Sequence, residues 1–250
     1  MSFRLANDAR PQARTLLIAT LLSVALWFIP FAEVLTYPFR LFVTFVHEGS
    51  HALAAVLTGN GVYGLRIAPS GSGVTLTTES DLFSGFIISS AGYLGAMLYG
   101  ALLLFWIRRA VAARRVLIIS AGLILTLTLA YGFSSLFTIV AGMVLSGGLI
   151  AAAMFLGPRA AMFLVSLLAA QCVLNALLDL KTVLSLSAPF APRVPTDAAN
   201  MAEATGIPAA FWSAIWIALA LLILYYALRS YTERRAPSQP DLPFEDEPRL

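Results

Sequence analysis

The stretch that decides the fold is FVTFVHEGSHALAAVLTG, from Phe42 to Gly59, an apolar run with His47, Glu48 and His51 at its middle. Apolar runs of about 20 residues are typical of helices that cross the hydrocarbon core of a bilayer. An ionisable side chain at that depth costs roughly 2.5 kcal/mol or more, so such residues usually have a function. We therefore expect a membrane-embedded helix that carries a polar site.

The composition of the whole chain agrees with this expectation. Of its 250 residues, 59% are hydrophobic and 12% are charged, and the mean hydropathy is +0.84. Soluble domains are nearer about 45–50% apolar and about 25% charged, so we predict a polytopic membrane protein with one domain. The net charge of +3 is small, whereas a nucleic-acid binder would show a concentrated basic face. The single cysteine, Cys172, excludes a disulfide framework and a multi-cysteine metal site.

Seven apolar runs along the chain predict transmembrane helices. The fifth run is diluted by three glycines, so the prediction is six or seven transmembrane helices in an all-α polytopic membrane protein. The seven runs are Leu16–Leu35, Pro38–Thr58, Ala91–Ile107, Val116–Phe133, Phe137–Leu156, Ala160–Leu186 and Ala210–Leu228.

Two segments between the apolar runs are too polar to cross a membrane. Within residues 61–81, the β-forming runs Val62–Ile67 and Val74–Thr78 flank a Pro-, Ser- and Gly-rich turn, which predicts a small β-hairpin after the motif helix. Residues 187–208 contain four prolines and are predicted to form a loop. The predicted organisation is therefore an N-terminal polar segment (1–14), a transmembrane domain with this hairpin and loop (15–231), and a disordered C-terminal tail (232–250).

The arginine-rich segment Arg108–Arg115 predicts a cytoplasmic loop, because basic residues concentrate on that side of a membrane. With seven spans, the N-terminus would lie outside and the C-terminal Arg234-Arg235 inside. Arg4, Arg10 and Arg14 would then lie outside, against the same rule.

The polar residues of the opening stretch form an H-E-x-x-H motif. In a helix His47 and His51 lie one turn apart on one face, so they can bind one metal ion together. Glu48 follows the first histidine and can reach a metal-bound water as a general base. These are the only two histidines of the chain. The alternative is a pair of buried histidines that hydrogen-bond to neighbouring helices.

A catalytic zinc site has three protein ligands and one open position, so a third ligand is expected. The acidic residues inside the predicted spans are Glu33, Glu48 and Asp179. Glu33 lies near the end of its span, whereas Asp179 lies deep in the sixth span at a depth similar to that of the histidines. Asp179 is therefore the predicted third ligand, and Cys172 stays a possible one. Asn175, one turn before Asp179, could orient a ligand, bind a substrate carbonyl or make an ordinary interhelical hydrogen bond.

Two stretches resemble a known family: HEGSHALAAVLTGNGV from His47 and SGFIISSAGYLGA from Ser84. They are similar to the site-2 protease family of intramembrane zinc metallopeptidases, most of all to its compact bacterial branch without PDZ or CBS modules. The resemblance covers about Phe42–Leu186. There are two departures: the family's Ala-Gly-Pro reads Ala91-Gly92-Tyr93, and its Leu-Asp-Gly reads Leu178-Asp179-Leu180.

The resemblance implies one Zn²⁺ per chain, held by His47, His51 and the matching Asp179. It also implies that Glu48 activates water to hydrolyse a peptide bond of a membrane-anchored protein. The implied location is a bacterial plasma membrane, with the lipid bilayer and a membrane-protein substrate as partners.

Two other functions are compatible with the same residues. One is a catalytically silent membrane scaffold or chaperone of the same fold, and the other is a metal-ion transporter. Glu48 argues against the scaffold, because zinc binding alone does not need it. A transporter would be expected to carry more ligands along a path, and only Glu33 is available.

Overall fold

The structure, a computed structural model, describes residues 6–78, 81–109, 111–188 and 194–232, without the side chain of Asn7. The start of the predicted N-terminal segment and all of the predicted tail except Thr232 lie outside the described residues.

Helices dominate the described chain, and the predicted all-α membrane fold with a small hairpin is confirmed. The eight α-helices are α1 (Arg10–Leu26), α2 (Glu33–Leu57), α3 (Leu82–Arg108), α4 (Ala113–Tyr131), α5 (Leu136–Phe155), α6 (Pro158–Leu186), α7 (Asp197–Thr205) and α8 (Ala209–Arg229). Five of the described helices, α3, α4, α5, α6 and α8, are long and apolar enough to cross a membrane. The chain is an integral membrane protein.

The first predicted span, Leu16–Leu35, is wrong in its bounds. The chain leaves the helix after Leu26 and starts α2 at Glu33. Pro30 lies in the break, and Phe31 has a left-handed φ of 64°. Proline has no N–H to donate, and a positive φ is incompatible with a right-handed helix, so the apolar run cannot continue as one helix.

The predicted hairpin is present, with β1 at Val62–Ile67 and β2 at Gly73–Thr77 in antiparallel pairing. It lies along α2, and two hydrogen bonds hold its turn there. The Tyr37 hydroxyl donates to the carbonyl oxygen of Pro69 at 2.7 Å, and the Thr44 hydroxyl donates to that of Gly71 at 2.7 Å. The hairpin is therefore fixed against the helix that carries the histidine motif.

The prediction that residues 187–208 form only a loop is wrong, because α7 lies within them. The Thr196 side chain caps this helix by accepting from the Ala199 N–H at 3.1 Å. Gly206, with a φ of 72°, ends it, as glycine does at many helix C-termini. Ala198 and Met201 are buried where α7 packs on α3 and α8.

The two ends of the described chain meet at one end of the bundle. The Arg108 guanidinium binds the Asp8 carboxylate at 2.9 Å and donates to the carbonyl oxygen of Ser230 at 2.9 Å. The Ala6 N–H donates to the carbonyl oxygen of Tyr231 at 3.0 Å. This corrects the predicted placement of the two ends on opposite sides. It also reduces the conflict over the N-terminal arginines, because Arg10, two residues after Asp8, lies at the end of the bundle that carries the arginine-rich loop.

Candidate metal centre

The histidine motif lies in the second half of α2, in the middle of the bundle. Glu48 and His51 are buried and His47 is half-buried. Helix α4 packs closely against this helix. Leu127 of α4 lies directly over Gly49, where a Cβ would overlap the leucine side chain. The glycine inside the motif therefore lets a neighbouring helix approach closely and fixes the motif helix.

The two imidazole rings converge on one point. The Nε2 atoms of His47 and His51 lie 3.1 Å apart. The Nδ1 of His51 lies 2.7 Å from the carbonyl oxygen of Ile88. A carbonyl only accepts, so Nδ1 carries the proton and Nε2 keeps its lone pair for a ligand. This arrangement is typical of histidines that bind metals through Nε2.

A carboxylate from α7 completes the group. The Asp197 Oδ2 lies 3.5 Å from Nε2 of His51 and 3.9 Å from Nε2 of His47. One ligand atom from each of the three residues falls within 4.8 Å of the others. Burial raises the pKa of the Asp197 carboxyl, whereas a protonated His51 ring, by its hydrogen bond and charge, and the charge of His47 lower that pKa below its usual range. A metal ligand must be deprotonated, and a bound cation would stabilise the Asp197 carboxylate in place of the imidazolium charge.

The residues fit a zinc ion by chemistry and by spacing. Two imidazole nitrogens and one carboxylate oxygen are a donor set of catalytic zinc sites. Ligand atoms about 2.0–2.1 Å from a tetrahedral ion lie roughly 3.3 Å from one another. The three separations here, 3.1, 3.5 and 3.9 Å, are close to that edge length.

Gly92 of α3 lies directly against the imidazole rings of His47 and His51. A Cβ at this position would overlap the Nε2 atoms of both His47 and His51. Its neighbour Tyr93 packs edge-on against the His47 ring, with the ring centroids 4.8 Å apart. Glycine at position 92 therefore leaves free the space that the Nε2 atoms of the two histidines occupy, which any larger residue would fill.

Glu48 is positioned by the hairpin and not by the bundle alone. The Thr75 hydroxyl of β2 lies 2.7 Å from Glu48 Oε2 and 2.9 Å from the Glu48 carbonyl oxygen. Gly73 packs on the same side chain, since a Cβ there would lie 2.6 Å from Glu48 Oε1. A strand of the hairpin therefore lies directly beside the motif.

A cavity of about 310 Å³ opens beside the motif. It is lined by His47, Glu48 and Tyr93, by the hairpin turn, and by polar residues of α2 and α6, namely Arg40, Thr44, Asn175, Asp179 and Thr182. Glu48 therefore faces an open space large enough for part of a peptide chain.

The structure does not place the predicted third ligand with the histidines. Asp179 lines the cavity, but in the described part of the chain the group that could hold a metal consists of His47, His51 and Asp197. Cys172 is buried against α3 near Gly100, and Glu33 lies in the first turn of α2; neither belongs to that group. Asp197 was not among the candidates from the sequence, because it lies outside the predicted spans and reaches the site from the short helix α7.

A helical membrane bundle with two histidines and a carboxylate converging beside a buried glutamate defines an intramembrane metallopeptidase fold. The chain belongs to the Peptidase M50B-like family, whose model matches residues 16–227. This is a site-2 protease family, as the resemblance of the two sequence stretches indicates. The match extends beyond Leu186 and includes α7. Peptidases of the M50 class are generally zinc metalloproteases, and the family also includes possibly inactive members. Comparisons with curated proteins and with solved structures gave no match.

Proposed function

We propose that this protein is an active intramembrane zinc endopeptidase that hydrolyses a peptide bond of a membrane-anchored protein substrate. The observation that carries the proposal is the convergence of His47, His51 and Asp197 within 4.8 Å, next to the cavity-lining Glu48. A buried pair of histidines that only stabilised the bundle would need neither a third ligand nor a glutamate facing a cavity.

His47, His51 and Asp197 would hold the zinc ion, one per chain. This ligand set replaces the predicted one, in which Asp179 was the third ligand. Bound zinc supplies Lewis-acid chemistry, polarising a scissile carbonyl and making water more acidic. The Ile88 carbonyl keeps the His51 ring in the orientation and tautomer that this role requires.

Glu48 is the proposed general base. It takes a proton from the attacking water and later transfers it to the leaving amine. Thr75 donates to its Oε2, which fixes the rotamer of the carboxylate while its other oxygen stays available for proton transfer. Burial of Glu48 among apolar helices strengthens these interactions, because the local dielectric is low.

The cavity gives water and a substrate segment access to the site. A peptide bond within a helix is shielded by its own hydrogen bonds, so a substrate must unwind locally before the main chain reaches Glu48. The polar lining of the cavity supports its role as the route by which water and the unwound substrate reach the site. The proposed location is a bacterial plasma membrane, as the resemblance to the compact bacterial branch implies.

A Glu48→Gln variant separates this proposal from its alternatives, because glutamine keeps the size of the side chain and loses its basicity. Cleavage of tagged single-span proteins in reconstituted vesicles should fall by about 10²–10⁴-fold, while zinc content is retained. A silent scaffold would keep its cellular role with glutamine at this position, and a transporter would keep moving metal into vesicles. Cleavage at the wild-type rate by the variant would refute the role of Glu48.

A further inference from the structure

The cavity beside Glu48 contains polar groups that the proposed chemistry does not use. Arg40 enters it from α2, and Asn175 and Asp179 enter it from α6. Asp179 lies seven residues before the end of α6, and a carboxylate within a spanning helix is costly and points to a function. With Asp197 beside the histidines, Asp179 has no assigned part in metal binding.

These groups offer hydrogen-bonding capacity to the cavity. The side-chain nitrogen of Asn175 donates to the carbonyl oxygen of Gln171 at 2.8 Å and to its Oε1 at 2.9 Å. Both amide hydrogens are thereby used, so Oδ1 remains as an acceptor. Within the described residues, Asp179 makes no hydrogen bond and no ion pair shorter than 4.0 Å, although Arg40 lines the same cavity. Two acceptors on α6 thus face a donor on α2 across a gap.

The spacing of the acceptors matches an extended chain. Residues four apart in a helix are separated by about 6 Å along the axis. Alternate residues of a β-strand are separated by about 6.6 Å, and their N–H groups point to the same side. Asn175 and Asp179 can therefore accept from two alternate N–H groups of a strand lying along α6. Arg40 can donate to a carbonyl on the opposite edge of that strand.

We propose that Asn175, Asp179 and Arg40 form a subsite for the main chain of an extended, locally unwound segment of the substrate. Unwinding a helix inside a membrane exposes N–H and C=O groups that lipid cannot satisfy. The subsite replaces those lost hydrogen bonds directly beside the catalytic base.

This inference rests on the proposed function but is tested by binding in a Glu48→Gln background, where cleavage should be about 10²–10⁴-fold slower than in the wild type. The probe is a fluorescent synthetic single-span peptide of about 25 residues with a central Asn-Gly pair, titrated against the protein in lipid nanodiscs. Asp179→Leu and Asn175→Leu should each weaken binding by about tenfold or more, because each removes an acceptor without much change in size. The matched control is Lys181→Leu, which removes a charge from the exposed face of the same helix and should leave the dissociation constant unchanged.

Ester substitution of the probe identifies the main-chain contacts. Replacing single peptide N–H groups by ester oxygens should weaken binding at two positions spaced by two residues. In the Asp179→Leu protein, ester substitution at one of those two positions should no longer weaken binding. Zinc content, measured on the same samples, should match that of the parent in every one of these variants.

The inference is overturned by any of three results: no saturable binding of the probe, equal binding by Asp179→Leu and its parent, or loss of zinc from Asp179→Leu. The last result would make Asp179 a metal ligand, as predicted from the sequence. Failure of the proposed function gives a different pattern, namely wild-type cleavage that is absent or insensitive to Glu48→Gln.

Discussion

The Nδ1 of His51 donates to the carbonyl oxygen of Ile88 at 2.7 Å, and this one contact joins the motif helix to the helix that carries Gly92. It orients the imidazole so that its Nε2 faces His47 and Asp197. The contact uses a backbone carbonyl, so no particular side chain at position 88 is required for it. The geometry of the metal centre therefore depends on the packing of α2 against α3.

The first prediction concerns the third ligand. Asp197→Ala should lower the zinc content of the purified protein strongly, and so should the double variant His47→Ala, His51→Ala, because each removes donors from the converging group. Asp179→Ala should retain the metal. Elemental analysis of protein purified without added zinc measures this, with Glu33→Ala as the control carboxylate on α2. Retention of zinc by Asp197→Ala together with its loss from Asp179→Ala would restore the ligand set predicted from the sequence.

The second prediction concerns Gly92. Gly92→Ala should displace both imidazoles, since its Cβ would overlap their Nε2 atoms. We expect loss of most of the zinc and a fall in stability of about 1–3 kcal/mol, the usual cost of overpacking a well-packed contact. Gly122→Ala on α4 is the matched control, because nothing lies within 4 Å of a Cβ there. Thermal unfolding and zinc content of the two variants are compared, and equal values would contradict the close approach of α3.

Much of the fold could be predicted because its elements are local in origin. Apolar runs predicted α4, α5, α6 and α8 to within three residues at each end, whereas the third run began nine residues after the start of α3 at Leu82. The β-forming runs on either side of Pro69–Gly73 predicted both strands. The first span was wrong because hydropathy averages over a break. A window from Leu16 to Leu35 averages Pro30 with its apolar neighbours and does not detect the left-handed backbone at Phe31.

The part of the candidate site that lies on a single helix could be predicted from the sequence. The part that depends on the packing of separate helices could not. The spacing of His47 and His51 follows from helical periodicity alone. Asp197 depends on how α7 packs on α3 and α8, which periodicity does not predict. A signal for this helix was nevertheless present: Thr196 followed by Asp197 is typical of a helix start, and Gly206 followed by Pro208 of a helix end. Four prolines in the surrounding segment obscured it.

The third prediction concerns topology. Because Arg108 binds both Asp8 and the carbonyl oxygen of Ser230, both termini should lie on the side of the Arg108–Arg115 loop. Protease-sensitive tags at either end should be removed from the same side in oriented vesicles, and both should be protected when the vesicles are inverted. Detergent-permeabilised vesicles provide the control for tag cleavage. Tags that are cleaved from opposite sides would contradict the meeting of the two ends.

The fourth prediction concerns Thr75, the strand residue that binds Glu48. Thr75→Val keeps the shape and the β-propensity of the side chain but removes the hydroxyl, so the hairpin and the zinc should be retained. The Glu48 carboxylate would lose its donor at Oε2 and adopt other rotamers, which places the base less accurately. We expect kcat to fall about tenfold or more, the effect of one hydrogen bond to a charged group, with little change in KM.

Two further variants separate positioning of the base from general weakening of the hairpin. Thr75→Ser restores the hydroxyl and should recover most of the wild-type kcat. Thr77→Val, two residues along the same strand, removes a hydroxyl without a bond to Glu48 and should leave kcat unchanged. Cleavage kinetics on one single-span substrate, with zinc measured on each sample, test all three. A purely structural role for Thr75 would instead give equal losses in the two valine variants and no recovery with serine, because the hydroxyl would then not act through Glu48.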